Sequence, residues 1–137
     1  MRDKNFIAVH RGGTLTLDNH QKLMRWAIAC TEHVLSSVEE QNLNPQFTYA
    51  LEIAKDWEKG NAATGVAMKV ARQTHAIARE ITNPILKPIV RSIAQAVSTA
   101  HMADHCLGAS LYALMTAKLS GRSVKEEIAW QDENLKD

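Results

Sequence analysis

The chain has few aromatic residues, few cysteines and no long apolar run. Aromatic residues make up 5% of its 137 residues and apolar residues 45%, so its core must be mainly aliphatic. An aromatic-poor composition rich in alanine favours closely packed helices over a β-sheet. No apolar segment has the length of a membrane span, and the first residues lack the apolar core of a signal sequence. We therefore expect one cytoplasmic domain without membrane contact.

Neither sign of charge dominates the chain. It carries 16 Lys and Arg residues against 15 Asp and Glu residues, which gives a formal net charge of +1. Proteins that bind nucleic acids concentrate basic residues in one segment or on one face. The charges here are interleaved along the chain, so we expect no nucleic-acid partner.

The chain contains only two cysteines, Cys30 and Cys106, both in helical patterns among small apolar residues. One disulfide is arithmetically possible, but cysteines in such surroundings are usually buried thiols. Thiols inside helices with apolar neighbours are also poor nucleophiles. We expect two buried free thiols without a catalytic role.

Apolar residues recur at three- and four-residue steps along most of the chain, which predicts amphipathic helices. Residues 1–17 lack this pattern, and we expect them to form an extended, non-helical arm. Asp18 followed by Gln21 indicates an N-cap, as does Asn61, and Ser123 followed by Glu126 indicates a capping box. The predicted helices cover residues 18–41, 45–59, 61–83, 85–119 and 123–135.

The segment 85–119 is too long for one helix of so small a domain. At about 1.5 Å per residue it would extend for roughly 50 Å, so we expect a break near Ser98 and Thr99, with Thr99 capping a new turn. The sequence therefore predicts an all-α fold, a single-domain bundle of about five to six helices over residues 18–135.

Three titratable residues interrupt the apolar pattern of this segment. If it is helical, His101, Asp104 and His105 lie on one side, in line with apolar residues. Buried titratable groups need partners, a metal or a ligand to offset the loss of water. The spacing of His101 and His105 suits two ligands of one divalent metal, and Asp104 could ligate it or orient one ring.

The alternative is a buried hydrogen-bond network among the same three side chains. The segment lacks a His-Glu-x-x-His arrangement, and no second ligand motif stands out. We favour the network, which would help to fix one packing of an Ala-rich core. Further histidines that a bundle could bring to this place are His33, His75, His10 and His20.

The segment His10-Arg11-Gly12-Gly13 is a second local signal. Its glycines permit left-handed backbone and close approach to a neighbour, and the guanidinium of Arg11 could clamp a carboxylate or a phosphate. It is not a phosphate-binding P-loop, because the Lys-Ser/Thr ending is absent. The simpler interpretation is a turn that leads the arm onto the bundle, with Arg11 paired to a surface acid.

Several segments, in their order, resemble the bacterial family of putative immunity proteins, small all-helical domains assigned to protection against toxins. The resemblance implies an all-α fold and, for function, an immunity role; it supplies no catalytic residues. Its most specific parts are the His-Arg-Gly-Gly and His-Met-Ala-Asp-His sequences. The similar segments are Val9–Leu15, Trp26–Ala27, Glu32–Leu35, Ala100–His105 and Glu127–Gln131.

Three hypotheses for function follow. The first, which we favour, is a binding protein that neutralises a protein toxin and needs no cofactor. The second is a metal-dependent enzyme in which His101, Asp104 and His105, with His33 or His75 and Arg11, bind a divalent metal and an anionic substrate. The third is a self-associating structural protein, in which small residues such as Ala94, Gly108 and Ala109 permit close pairing of helices within a subunit or across a homodimer.

Overall fold

The computed structural model describes residues 3–38 and 44–135, and it confirms the predicted all-α bundle. Six α-helices are present in these two stretches, and neither contains a β-strand. No helix in the described part of the chain combines the length and the apolar composition that a membrane span needs. The helices are α1 (Leu17–Val34), α2 (Pro45–Glu58), α3 (Thr64–Glu80), α4 (Leu86–Ser98), α5 (His105–Leu119) and α6 (Val124–Leu135).

Helix α4 lies at the centre of the bundle. It packs against α1, α2, α3 and α5, whereas α6 packs mainly against α5 and α1. Adjacent pairs such as Ile89 and Val90 are both fully buried, so α4 is apolar on nearly all sides. The end of α4 at Ser98 is therefore packed among the surrounding helices.

The caps of two helices differ from the predicted ones. Helix α1 is capped by Thr16, whose hydroxyl accepts a hydrogen bond from the backbone N–H of Asn19, and Asp18 lies in the first turn. Helix α3 follows Ala63, so Asn61 is not its N-cap. In both cases a neighbouring residue with extended backbone takes the cap position, which sequence spacing alone does not reveal.

Two helices also end earlier than predicted. Helix α1 ends at Val34 and tightens into a 3-10 turn at Leu35–Ser37, and the expected end near Gln41 lies outside the described residues. Helix α3 ends at Glu80 rather than at Asn83. The side chain of Asn83 instead accepts two backbone N–H bonds at the start of the next helix.

The predicted break after Ser98 is confirmed. Thr99 ends α4 instead of starting the next helix, and turns fill residues 100–104 before α5 begins. The predicted capping box of α6 is also present, since the hydroxyl of Ser123 accepts a bond from the N–H of Glu126. Helix α2 begins at Pro45 as expected.

The N-terminal arm is not extended, as the sequence had predicted, but folded. It contains two 3-10 turns, Lys4–Phe6 and Val9–Arg11, and an isolated bridge pairs Ala8, before the second turn, with Leu15, after it. Leu15 is buried against the bundle. Burial of this leucine holds the arm against the helices and thereby fixes the residues of the second turn.

Candidate functional site

The arm places His10 and Arg11 near the junction between α4 and α5. Gly12 ends their turn with a φ of 90°, a left-handed conformation that glycine adopts without strain. Gly13 packs so closely on Ile7 that an added Cβ would overlap the carbonyl oxygen of Ile7. The two glycines let the arm fold back on itself, which confirms the close approach that the sequence indicated.

A cavity of about 220 Å³ lies between the arm and the α4–α5 junction. We call it the Arg11 cavity. Among the described residues that line it, none is Asp or Glu. Its lining includes His10, Arg11, His20, Trp57, His101 and Met102.

Arg11 has no acidic partner in the described part of the chain. Its Nη1 donates to the sulfur of Met102 at 3.5 Å, and thioether sulfur is a weak acceptor. The predicted ion pair between Arg11 and a surface acid is therefore wrong. The guanidinium lies exposed at the cavity, with most of its donors available to a ligand.

His20 and Trp57 form the buried side of the Arg11 cavity. Nε2 of His20 donates to the carbonyl oxygen of Thr99 at 2.6 Å, and its ring lies 4.7 Å from that of Trp57. Burial lowers the pKa of His20 below its ordinary value, and the bond to Thr99 opposes this only in part. Trp57 donates in turn to the hydroxyl of Thr64 at 3.0 Å. Both side chains are therefore fixed before any ligand arrives.

The stripe of His101, Asp104 and His105 does not exist as one helical face. His101 lies in the turns after α4, Asp104 precedes α5, and all three residues are half-buried. His101 lines the Arg11 cavity, whereas Nδ1 of His105 bonds to Oε1 of Gln95 at 2.8 Å. The break in the backbone separates residues that a continuous helix would have aligned.

The alternative of a metal site is not assembled. Within residues 3–38 and 44–135, no three His, Cys, Asp or Glu side chains are placed to hold one metal ion. His10, Arg11 and His101 meet at the Arg11 cavity, whereas His105 bonds to Gln95 and lies within electrostatic reach of His75. His33 lies apart from both groups, at its contact with Glu127.

His75 forms a contact with Arg91, which lies one helical turn before Gln95 on α4. Nη1 of Arg91 donates to Nδ1 of His75 at 3.0 Å, so this nitrogen carries no proton. Burial lowers the pKa of His75, and the positive charge of Arg91 lowers it further. His75 is therefore a neutral acceptor in the packing of α3 against α4.

His33 lies at the contact between α1 and α6, far in sequence from its partners. Its Nδ1 donates to Glu127 at 2.5 Å, and its ring stacks on that of Trp130 at 3.6 Å with an angle of 4°. Glu127 also accepts from Arg122 at 3.2 Å. These contacts hold the last helix to the bundle, so a structural role accounts for His33.

Sequence reasoning did not single out two residues of the Arg11 cavity, Trp57 and Met102, and it offered His20 only as one of several histidines that a bundle could bring together. Trp57 has the spacing of an ordinary packing residue on α2. No local signal joins them, because their proximity depends on how α1, α2 and the α4–α5 junction pack. Only the resemblance, which includes both the His-Arg-Gly-Gly and His-Met-Ala-Asp-His sequences, marked two of the segments that meet here.

Comparison with known proteins identifies the chain at the level of its family. No curated protein and no solved structure matches it. The model of the Imm-5 like putative immunity protein family matches residues 13–137, which is nearly the whole chain. The match begins at the second glycine of the arm, shortly after the cavity residues His10 and Arg11. This protein therefore belongs to the family of Imm-5 like putative immunity proteins.

Proposed function

We propose that this protein neutralises a protein toxin by binding it directly, and that the toxin docks over the Arg11 cavity. The family match supports an immunity role. A binding protein of this kind needs a rigid scaffold and a complementary surface, and no reacting groups. The bundle, with its central α4 buried on nearly all sides, provides the scaffold.

The observation that supports toxin binding at the Arg11 cavity is the exposed guanidinium of Arg11. Its only hydrogen-bond partner in the described part of the chain is the sulfur of Met102. An arginine fork forms strong paired hydrogen bonds with a carboxylate. The absence of Asp and Glu among the described lining residues leaves this bond to a partner. We therefore infer that an acidic side chain of the toxin occupies the Arg11 cavity.

The surroundings of Arg11 resemble the centre of a protein interface. Arginine, tryptophan and methionine are enriched in interfaces, and Trp and Arg residues carry much of their binding energy. Trp57 is held by its bond to Thr64, and His20 by its bond to Thr99. Preorganised side chains lose little conformational freedom on binding, so the cavity is suited to tight association.

Coexpression with any candidate toxin encoded beside its gene tests the function. We expect the chain to restore growth and the purified proteins to form a stable complex. The Arg11→Ala variant should bind at least about tenfold more weakly, because removing a central arginine typically costs more than about 1 kcal/mol. Its melting temperature should stay unchanged, since the guanidinium is exposed.

Arg72→Ala is the matched control, because Arg72 is an exposed arginine on α3, away from the cavity. Failure of the chain to protect against the toxin would overturn toxin neutralisation. Protection together with equal binding by the Arg11→Ala and Arg72→Ala variants would overturn the location of the contact.

A further inference from the structure

Helix α5 is apolar on both sides, although only one side faces the bundle. Its buried side consists of small residues, including Cys106, Ala109 and Ala113, which are fully buried. Its other side exposes a row of larger apolar residues at four-residue steps. The row consists of Leu107, Leu111, Met115 and Leu119, of which Leu111 is 65% exposed.

An exposed row of this kind is unusual for a helix in a small domain. A helix that is hydrophobic all round is normally covered on all sides. Four large side chains, each about half exposed, form a patch comparable to the largest on typical monomers, and such patches are often interaction sites. The row therefore indicates a surface that another protein covers.

The sequence of this face is symmetric about Leu111. Leu107 and Met115 lie four residues before and after it, and Asp104 and Lys118 lie seven residues before and after it. At about 100° per residue Leu107, Leu111, Met115 and Lys118 fall on the same side of α5, and Asp104 lies at its N-cap position. The face thus has an acid at its N-terminal end, a base at its C-terminal end and apolar residues between them.

We propose that α5 pairs antiparallel with α5 of a second copy of this chain, about a twofold axis at the level of Leu111. This arrangement places Leu107 opposite Met115 and Asp104 opposite Lys118, and each contact occurs twice. Unlike charges then meet at both ends, and the two helix dipoles oppose each other. A parallel pairing would instead place like charges together.

The two edges of the face differ in the size of their residues. Gly108 and Leu114 lie three residues before and after Leu111 on opposite edges, and both are half-buried. At one edge Gln95 of the same subunit fills the space beside Gly108, and at the other Leu114 widens the apolar surface. A groove of about 280 Å³, whose walls include Pro88 and Tyr112, adjoins the row at Met115. This groove extends the apolar surface from α5 towards the start of α4.

Of the two roles that the sequence left open for the small residues, the structure shows pairing within a subunit. Ala94 and Ala109 are fully buried between helices of one subunit. Gly108 packs on one side against Gln95 of its own subunit. The small residues of α5 serve mainly to pack it onto the bundle, and its large residues are the ones left exposed.

Sedimentation velocity of the chain alone, over a concentration series, tests the proposal. The exposed patch is smaller than the ~800 Å² per partner of a standard interface, so we expect a reversible dimer with a dissociation constant in the micromolar range. Leu111→Glu should be monomeric throughout, because it puts two carboxylates together at the twofold axis. Val66→Glu is the control, since Val66 is an exposed apolar residue on α3.

Charge reversal tests the antiparallel register. Lys118→Glu should weaken the dimer about tenfold, because two attractive pairs become repulsive, and adding Asp104→Lys should restore it. A Leu111→Cys variant should form a disulfide-linked dimer under mild oxidation, whereas Val66→Cys should not. The native thiols of Cys30 and Cys106 are buried and do not interfere.

Monomers at every concentration would overturn the proposal. A dimer that survives Leu111→Glu would exclude this face, and a double charge reversal that weakens the dimer further would exclude the antiparallel register. These measurements use no toxin, so their failure would leave the proposed function untouched. Circular dichroism of each variant shows that it retains the helical fold.

Discussion

The imidazole of His33 donates from Nδ1 to the carboxylate of Glu127 at 2.5 Å, and this bond joins two residues that are 94 positions apart. Glu127 is only 3% exposed. Its second oxygen accepts from Arg122 at 3.2 Å, and Trp130 covers the ring of His33. One buried carboxylate therefore connects α6 to α1 and to the loop before α6.

Replacing Glu127 with alanine should lower the free energy of unfolding by about 2 kcal/mol, because His33 and Arg122 lose a shared acceptor. Urea denaturation followed by circular dichroism measures this change. Asp132→Ala, on the exposed side of the same helix, is the control and should change stability by less than about 0.5 kcal/mol. Equal effects of the two variants would show that the buried carboxylate contributes nothing.

Acidification should destabilise the fold through His20 and His75. Burial lowers the pKa of both below the ordinary 6.5, so below that pH the unfolded chain binds protons that the folded chain resists. The contribution of these two neutral histidines to the free energy of unfolding is fully present above pH 6.5. It is lost as the pH falls towards their folded-state pKa values. Urea midpoints at about pH 7.5 and about pH 5.5 reveal the difference.

The His20→Gln variant tests the assignment of this pH dependence. Glutamine keeps a donor for the carbonyl of Thr99 but does not titrate, so the difference between the two pH values should shrink. His10→Gln is the control, because His10 is exposed. A pH dependence that His20→Gln leaves as large as before would contradict the role of His20.

Replacing Gly108 with alanine should lower the stability by about 1 kcal/mol, although alanine is the better helix former. An added Cβ would lie 2.7 Å from Oε1 and 3.0 Å from Cγ of Gln95, so the Gln95 side chain must move. That movement breaks its bond to His105. Thermal and urea unfolding measure the loss.

In a Gln95→Ala background, Gly108→Ala should instead stabilise the protein by up to about 1 kcal/mol, because the Gln95 side chain that the new Cβ would meet is absent. Gly65→Ala on α3, where a Cβ meets nothing within 4 Å, should also be neutral or stabilising. If Gly108→Ala stabilised the unaltered chain, the close contact with Gln95 would be disproved.

Gly13→Ala should displace the arm and cost more than about 2 kcal/mol, since the new Cβ meets backbone atoms of Ile7 that cannot move independently. Gly12→Ala meets no atom within 4 Å and should cost only about 1 kcal/mol, the penalty of a left-handed backbone. Proteolysis near the arm should rise for the Gly13 variant alone. Equal susceptibility of the two variants would contradict the packing of Gly13 on Ile7.

The thiols of Cys30 and Cys106 should not react in the folded protein. Burial is the main cause that raises the pKa of each to about 12, so almost no thiolate exists at about pH 8. A chromogenic disulfide reagent should detect both thiols only after denaturation. Rapid reaction of one thiol in the folded chain would show that its helix opens readily.

The sequence predicted the helices well where the signal was local. The position of α2 followed from Pro45, and the break after Ser98 followed from the excessive length of a single helix. The cap of α1 was misplaced by two residues, because Thr16 and Asp18 are both good caps. The extended arm was wrong, because its short apolar run folds into turns that depend on contacts with Leu15 and Gly13.

The site was predicted only in part, because periodicity assumed a continuous helix through His101 and His105. The turns between α4 and α5 change the direction of the chain. As a result His101 lines the Arg11 cavity, whereas His105 bonds to Gln95. Anion binding by Arg11 was among the alternatives that the sequence left open, and it stays a prediction. The residues around Arg11 could not be predicted from the sequence, because Trp57 comes from another helix.

The sequence by itself determined the all-α class, most of the helix ends and the family, because these depend on propensity, capping and residue order over short distances. It also contains the symmetry of α5 about Leu111. Only the tertiary structure decided which side chains meet: His20 bonds to a carbonyl 79 residues away. Such contacts depend on how whole helices pack, and each histidine could have met many partners that the same periodicity allows.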